Sequence, residues 1–170
     1  MLKLVKLTPE YRRQLFEMMD EWTATGEKII PYAIRRNDYR EDFDLYMAQI
    51  ELTDPMDGLV PDSTFFALDT ERDIFVGAVN IRHYLSGALL NGGGHVGDGV
   101  RPSERRKGYG TKIVALALQE CKKLGIDRVL MVCNKNNIAS AKIIIKNGGV
   151  LEDERNDEGT VIQRYWIENK

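Results

Sequence analysis

The strongest constraint on the fold is a short turn with two glycines that lies between a strand-like run and a helix-like run. The turn occupies residues 105–111 and contains Gly108 and Gly110. Residues 94–100 before it form a short strand with unusual glycines, and Pro102 stops that strand. Glycines let a main chain adopt positive φ and approach a ligand closely, so the turn predicts a strand that leads into the start of a helix.

The segment after the turn has the pattern of a helix and then of a buried strand. Apolar residues recur at three- and four-residue spacing up to Gly125, where a helix end is predicted. These residues are Ile113, Leu116, Ala117, Cys121 and Leu124. Residues 128–133 are apolar and β-branched, as in a strand that is buried on both faces. A strand, a crossover helix and a second strand together predict a parallel pair.

The rest of the chain predicts an antiparallel region with further helices. Strand patterns occur at residues 2–7, 64–68, 74–81 and 161–167. Helix patterns occur at residues 9–26, 38–50 and 137–148. We therefore predict a single domain, residues 1–170, of the α+β class. Its sheet is expected to be mixed and mostly antiparallel, with about seven strands, a central parallel pair and about four flanking helices.

The charge balance argues against a nucleic-acid partner. Lys and Arg total 24 and Asp and Glu total 26, which gives a net charge of −2. A chain with this charge has no overall positive field to hold a polyanion. With 43% hydrophobic and 29% charged residues, the composition is that of a globular protein rather than a membrane or disordered chain. No nucleic-acid or membrane partner is expected, and a homodimer is left open.

The two cysteines predict a reducing location. Cys121 and Cys133 are not in a metal-ligand spacing and lie in apolar runs, so we expect two buried thiols and no metal. The first seven residues alternate apolar and charged side chains and lack the apolar stretch and cleavage site of a signal peptide. A cytoplasmic protein is predicted.

The turn at residues 105–111 also has the features of an anion site. Five basic residues lie in or near it against Glu104 alone, namely Arg101, Arg105, Arg106, Lys107 and Lys112. Successive N–H groups in such a turn converge on one oxyanion, and the helix start adds about half a positive charge. A diphosphate is the predicted ligand. The P-loop pattern is absent, and the G-x-G-x-x-G match at residues 92–97 precedes a strand instead of joining a strand to a helix.

These motifs resemble those of the GNAT acetyltransferase superfamily. The signature turn of that superfamily, R/Q-x-x-G-x-G/A after a bulged strand, corresponds here to Arg105-x-x-Gly108-x-Gly110. The run that begins at Asn137 and contains Ser140 resembles its N-x-x-S helix, which leads into a glycine turn. Together the motifs cover about a third of the chain. The expected fold is therefore GNAT-like, with the central parallel strands splayed apart.

The resemblance implies direct transfer of an acetyl group from acetyl-CoA to an amine. It implies that the pantetheine arm lies between the splayed strands, bound by main-chain groups of Asp98, Gly99 and Val100, and that the turn holds the diphosphate. Asn137 would face the pantetheine or orient a water. The implied cofactor-binding residues are Asp98, Gly99, Val100, Arg105, Arg106, Lys107, Gly108, Tyr109, Gly110, Thr111 and Asn137.

The catalytic residues are expected among a few polar side chains. An amine must lose a proton before it attacks, so a base is needed. His95 is the first candidate, since it stands where relatives often carry Glu and imidazole titrates near neutral pH. Asp98 is the second, and His83 is a candidate acceptor contact. Many relatives protonate the leaving thiolate with a Tyr, but Ile144 occupies that position. Ser140 matches a serine proposed as the acid in the ribosomal-protein branch. The structural alternatives are a buried, satisfied histidine and a helix-cap serine.

The motifs do not identify the acceptor. A polyamine, an amino acid, an antibiotic and a protein N-terminus all stay open, and the pocket is expected between the first two helices and residues 86–94. The missing tyrosine leaves a non-catalytic CoA-binding or regulatory module as an alternative. Transfer of a longer acyl group is a further alternative, which depends on how far Phe16, Trp22, Tyr32 or Phe43 limits the pocket.

Overall fold

A computed structural model describes all residues, 1–170. The seven strands are β1 (Leu2–Val5), β2 (Asp62–Asp69), β3 (Ile74–Arg82), β4 (Val96–Val100), β5 (Arg128–Asn134), β6 (Val150–Asp157) and β7 (Thr160–Glu168). The four α-helices are α1 (Arg12–Ala24), α2 (Phe43–Ala48), α3 (Tyr109–Lys123) and α4 (Ile138–Lys146). Short 3-10 turns lie at Pro9–Tyr11, Tyr32–Ile34 and Pro102–Glu104, and a π-helical turn lies at Leu89–Gly93.

The strands form two antiparallel sheets. The first has the order β1-β2-β3-β4, and the second has the order β5-β7-β6. The predicted α+β class and strand number are confirmed, but the sheet is divided between β4 and β5, and neither part contains a parallel ladder. β7 lies at the centre of the second sheet and buries Ile162, Tyr165 and Ile167. The C-terminal residues therefore belong to the packed core.

The two sheets meet at one point. The His95 N–H donates to the Leu130 carbonyl at 2.8 Å, and the Leu130 N–H donates to Nδ1 of His95 at 2.9 Å. Asp98, three residues after His95, lies near Cys133, three residues after Leu130, so β4 and β5 run in the same direction. Beyond the His95 contact, no ladder bonds join the strands. The parallel pair is thus splayed, as expected, and its open edges face a cleft.

Two hydrophobic clusters cover opposite faces of the first sheet. α1 and α2 pack on one face with β2 and β3, around Trp22, Phe66 and Phe75. α3 packs on the other face, where Ile113 and Val114 join the strand residues of both sheets. This second cluster also contains residues from β5, β7 and α4, so the two sheets share one core on that side although their ladders are separate.

The start of α2 differs from the predicted start near Asp38. The Asp38 carboxylate accepts hydrogen bonds from the N–H groups of Arg40 and Glu41, at 2.9 and 3.3 Å, which holds a turn instead of a helix. The helix begins at Phe43, and the side chain of Asp42 caps it by accepting from the Leu45 N–H at 3.0 Å. Two nearby Asp residues thus compete for the helix start, and Asp42 caps the helix that forms.

None of the helices combines the length and the apolar composition that are needed to span a bilayer.

Candidate active site

A cleft of about 610 Å³ lies where β4 ends and α3 and α4 begin. Most of the predicted site residues line it, namely Asp98, Gly99, Val100, Arg105, Arg106, Gly108, Tyr109, Gly110, Thr111, Asn137 and Ser140. His95 and Lys107 do not line it. Five further residues of the lining were not predicted as site residues, and these are Ile30, Glu104, Ala139, Lys142 and Ile143. Helical spacing from Ser140 could have indicated Ile143, because residues three apart share a helix face.

Six consecutive main-chain N–H groups at the mouth of the cleft have no acceptor within the protein. The N–H groups from Arg106 to Thr111 donate to no main-chain or side-chain oxygen, and the first bond of α3 runs from Lys112 to Gly108. The first turn of any helix leaves such donors unpaired. Gly108 has φ 85° and Arg106 has φ 63°, so the chain turns sharply here before α3 begins. This run of donors fits the oxygens of a diphosphate.

The side chains around the turn carry less available charge than the sequence predicts. Arg105 pairs with Glu27 at 2.9 Å, and Lys107 pairs with Glu104 at 3.1 Å. Arg106 and Lys142, which both line the cleft, form no ion pair. These two side chains are the cations left for an anionic ligand. Lys107 does not line the cleft and its ammonium pairs with Glu104, so its contact with the ligand stays a prediction.

Glu104 is part of a network that fixes the turn from behind. Arg72 donates two hydrogen bonds of 2.9 Å to its carboxylate, one to each oxygen. Arg72 also contacts Asp69 and the hydroxyl of Tyr109. These charge-assisted bonds tie the first turn of α3 to β2 and to the loop after it. The network holds the unpaired N–H groups in place before any ligand binds.

The open edge of β4 presents main-chain groups of alternate residues to the cleft. The Arg82 N–H donates to the His95 carbonyl and the Arg101 N–H donates to the Val76 carbonyl. Because hydrogen bonding alternates along an antiparallel pair, the His95 carbonyl, the main-chain groups of residues 97 and 99, and the Arg101 N–H face β3. Those of Asp98 and Val100 face the cleft.

Gly99 has a different role from the one predicted. Its carbonyl points toward β3, where it lies against Gly77, and not toward the cleft. A Cβ atom at Gly99 would collide with the main-chain oxygen of Ile30. Glycine is thus required here because the segment before Pro31 crosses the face of β4 at van der Waals distance.

Asp98 is the titratable group that faces the cleft from β4. Its side chain is half-buried and forms no ion pair or hydrogen bond with another side chain. Burial raises the pKa of Asp98 from 3.8 to about 6. Cys133 and Ser140 lie beside it, and the Ser140 hydroxyl partly opposes the rise that burial causes in the Cys133 pKa. A carboxylate in this setting can exchange a proton near neutral pH.

His95 occupies a structural position. It is buried, and its Nδ1 accepts the Leu130 N–H, which assigns the proton of the neutral ring to Nε2. Burial, followed by the nearby charge of Arg82, lowers the pKa of His95 to about 4. The imidazole has no free lone pair for an acceptor amine in this arrangement. These contacts agree with the interpretation of His95 as a buried structural histidine.

Ser140 and Asn137 form the start of α4. The side-chain oxygen of Asn137 accepts the Ser140 N–H at 3.1 Å and caps the helix. Its amide group remains available to a ligand, and both residues line the cleft. Ile144, which stands where relatives carry Tyr, is buried in the core. The structure contains no group of three or more His, Cys, Asp or Glu side chains that could hold a metal ion.

Replacing His95 with alanine is expected to lower the free energy of unfolding by about 2 kcal/mol, because the buried Leu130 N–H loses its acceptor. The folded state holds His95 neutral, with its pKa lowered from 6.5 to about 4. The unfolded chain takes up a proton there first, so this stability is present above about pH 6.5 and is lost as the pH falls toward 4. The difference between wild type and variant should shrink over that range.

Urea denaturation of both proteins at pH 7.5 and pH 5 measures this difference. A variant that unfolds like wild type at both pH values, but has an altered pH-rate profile, would contradict the structural role of His95.

The cleft at the split between two sheets, with an amide-rich turn at a helix start, is typical of enzymes that bind a nucleotide co-substrate. Residues 1–150 match the model of the acetyltransferase (GNAT) domain, and the chain belongs to this family. It is an N-acetyltransferase by family, and acetyl-CoA is the acyl donor that such enzymes use. A comparison of the sequence with curated proteins gives no match.

Solved acetyltransferase structures have the same fold. The spermidine N-acetyltransferase SpeG from Vibrio cholerae, as a point mutant, is 15% identical with a TM-score of 0.65, over 99% of this chain and 95% of that chain. RimL, a ribosomal-protein α-N-acetyltransferase in complex with coenzyme A, is 12% identical with a TM-score of 0.67, over 98% and 93%. The yncA protein from Salmonella typhimurium, solved with acetyl-CoA, is 13% identical with a TM-score of 0.63, over 99% and 94%.

Proposed function

We propose that this enzyme transfers the acetyl group of acetyl-CoA directly to a primary amine, either of a small molecule or of a protein N-terminus. The observation that carries this proposal is the run of unpaired N–H groups from Arg106 to Thr111, at the mouth of a cleft that leads to the open edge of β4. When bound, acetyl-CoA supplies the activated acyl group. The protein supplies binding, orientation and a proton acceptor.

The turn is proposed to hold the diphosphate by its main chain. Six N–H groups and the positive end of α3 converge on the same region, and both favour an anion. Arg106 and Lys142 add charge from the two sides of the cleft. Arg105 and Lys107 support this site indirectly, since their ion pairs with Glu27 and Glu104 fix the turn.

The open edge of β4 is proposed to orient the reacting end of the donor. Main-chain groups of Asp98 and Val100 point into the cleft and have no strand partner there. An N–H group in such a position stabilises negative charge on a carbonyl oxygen, an effect of roughly 3 to 4 kcal/mol per donor in other enzymes. The amide of Asn137 lines the same cleft and is proposed to face the pantetheine arm or a water.

Asp98 is proposed as the general base, in place of His95. Its carboxylate faces the cleft without an ion pair, and its pKa of about 6 allows it to be ionised at pH 7 and still to accept a proton. We propose that the proton passes from the amine through a water at the edge of β4. Ser140, whose hydroxyl lies near Cys133 and which lines the cleft with Asp98, remains the proposed proton donor to the leaving thiolate.

The two cysteines support a further part of the proposal, a cytoplasmic location. Both thiols are unpaired and buried, and reduced thiols are usual in proteins of that compartment.

Release of free thiol from acetyl-CoA in the presence of a panel of amines tests the function, together with calorimetric titration of acetyl-CoA. We expect saturable binding and transfer to at least one class of amine. Binding without transfer to any amine would contradict the proposal and would favour the non-catalytic module. The absence of binding would contradict both.

A further inference from the structure

A second cavity lies at the end of β3, the strand that pairs with β4. Its volume is about 180 Å³, and it lies between the turn at Tyr32–Ile34, the ends of β2 and β3, and the residues before Gly93. Its charged lining residues are Arg36, Asp62 and Arg82. Two positive charges and one negative charge give this cavity a net charge of +1. This volume is below the roughly 300 Å³ at which drug-sized sites begin, so the cavity suits a small molecule.

Arg82 has the least satisfied charge in this cavity. One of its terminal nitrogens donates to the carbonyls of Gly93 and Gly94, at 3.1 and 3.3 Å. Its Nε and its other terminal nitrogen have no acceptor in the protein, and no carboxylate forms an ion pair with it. Burial lowers the pKa of Arg82, although the charge of Asp62 opposes that effect. The guanidinium of Arg82 is half-buried and has no paired carboxylate, so it can offer hydrogen bonds and positive charge to an anionic ligand.

Asp62 does not fill this role because its oxygens are already used. One oxygen accepts the Leu52 N–H at 2.8 Å, and the other lies 3.4 Å from Arg36. The Arg36 guanidinium is held in addition by the Ile50 carbonyl at 3.0 Å. Asp62 and Arg36 therefore neutralise each other, and Arg82 provides the remaining positive charge of the cavity.

Gly97 connects this cavity to the reaction centre. A Cβ atom at Gly97 would lie 3.4 Å from the unpaired terminal nitrogen of Arg82 and 3.5 Å from the Pro31 side chain. Any larger side chain would displace the guanidinium or fill the space beside it. The next residue is Asp98, whose side chain faces the cleft from the other face of the strand. Gly97, which lies against the guanidinium of the cavity, and Asp98, which lines the cleft, are thus consecutive residues of β4.

We propose that the acceptor is a small, amino-acid-like amine whose carboxylate binds Arg82, with its amino group directed to the open edge of β4. This inference rests on the proposed function. In the transfer, the acceptor nitrogen forms a C–N bond to the acetyl carbon as the C–S bond breaks. One proton leaves the amine, and the sulfur departs as the thiol. A polyamine has no anionic group for Arg82 and would meet the net positive charge of the cavity.

Matched acceptors test the inference on the wild-type enzyme. Thiol release is measured with the twenty L-amino acids, with the corresponding amino-acid amides, and with spermidine. Because a hydrogen bond to a charged group contributes about 1.5 to 3 kcal/mol, we expect kcat/KM for the best amino acid to exceed that for its amide by about 100-fold. Equal or better use of the amides or of spermidine would overturn the inference and leave the proposed function intact. If acetyl-CoA does not bind, or no amine is acetylated, both fail.

Variants at Arg82 assign the selectivity to this side chain. R82Q should lower kcat/KM for the amino acid by about 100-fold and for the amide by less than about threefold, which removes the preference. R82K, which retains the charge, should keep part of the preference. R128Q is the control, since Arg128 is an exposed arginine on β5 that lies outside both cavities. All variants should bind acetyl-CoA with the wild-type dissociation constant.

The outcomes of this series are distinct. A preference for carboxylate acceptors that survives in R82Q would overturn the assignment to Arg82. R82Q removes the donor to the carbonyls of Gly93 and Gly94. If this variant does not fold for that reason, the comparison of R82K with wild type decides whether Arg82 causes the preference for carboxylate acceptors. An unchanged preference in R82K together with an unchanged KM for the acid would count against recognition of the carboxylate by the guanidinium of Arg82.

Discussion

Acetyl-CoA is expected to bind at least about 100-fold more weakly to a G108V variant than to wild type, because two or more charge-assisted hydrogen bonds are lost. Gly108 has φ 85°, which valine adopts only with strain, so the turn must rotate and carry its N–H groups out of line. No side chain lies within 4 Å of the Cβ position at Gly108. The loss therefore arises from the main chain and not from a steric clash with the core. Isothermal titration calorimetry measures it directly.

The same helix offers a matched control. Gly125 follows the other end of α3, has φ 78°, and has no atom within 4 Å of its Cβ position. G125V introduces the same residue into the same backbone strain, far from the cleft. We expect a similar loss of stability in both variants and a loss of acetyl-CoA affinity in G108V alone. Equal affinities in the two variants would contradict the assignment of the diphosphate to this turn.

Replacing Asp98 with asparagine is expected to lower kcat by roughly 100-fold or more, the usual contribution of a general base. The acetyl-CoA dissociation constant should change by less than about threefold, because the diphosphate contacts remain. In wild type the rate should rise as the pH rises through about 6, since the carboxylate accepts a proton only when it is ionised. This rise should be absent in the variant. D127N, at an exposed carboxylate before β5, is the control.

The stability of the Asp98 variant gives a second readout. The folded state favours the protonated carboxyl, because burial raises its pKa above the 3.8 of the unfolded chain. The stability that results is present at low pH and is lost as the pH rises through about 6. An uncharged asparagine avoids this loss, so D98N should melt at a higher temperature than wild type at pH 8. A variant with normal kcat would show that Asp98 is not the base.

The turn at residues 105–111 could be predicted from the sequence because its properties are local. Glycine backbone freedom, a helix start and nearby basic residues all lie within a few positions of one another. Side-chain partners that come from other elements could not be predicted in this way, because they are distant in the sequence. The sequence places Lys107 beside a diphosphate, but Glu104 holds it, and Arg72 from another part of the chain holds Glu104. Local pattern identifies the amides, while tertiary contacts decide which cations remain available.

The position of His95 illustrates the same limit over a longer distance. Its Nδ1 binds the Leu130 N–H, 35 positions later in the chain, and this bond closes the point at which β4 and β5 separate. A histidine near a predicted site looks catalytic in a sequence because imidazole titrates near neutral pH. Whether a lone pair is free depends on a partner that no local pattern shows.

The strand β6 was not assigned in the sequence for a related reason. Residues 150–157 are mostly charged and exposed, and they lack the alternation of apolar and polar residues that indicates a half-buried strand. The segment becomes a strand because it pairs with β7 at the edge of the second sheet. The buried Arg164 of β7 forms ion pairs with Glu152 and Asp153 of β6. Charge pairing thus takes the place of an apolar pattern in this strand pair.

The acceptor cavity likewise depends on residues that are distant in sequence. Arg36, Asp62 and Arg82 come from three separate segments, and only their packing shows that Asp62 forms an ion pair with Arg36 and not with Arg82. In the sequence, Gly97 is an unusual glycine within a strand, and no local pattern shows which residue packs against it. In the structure it lies against the guanidinium of Arg82.

A crystal structure of the protein with coenzyme A bound is the most direct test of the central claim, that the main chain from Arg106 to Thr111 binds the diphosphate. We predict phosphate oxygens at about 2.7 to 3.2 Å from several of these nitrogens, the usual range for N–H···O bonds. A diphosphate bound elsewhere, with this turn empty or its N–H groups bonded to protein carbonyls, would contradict the account.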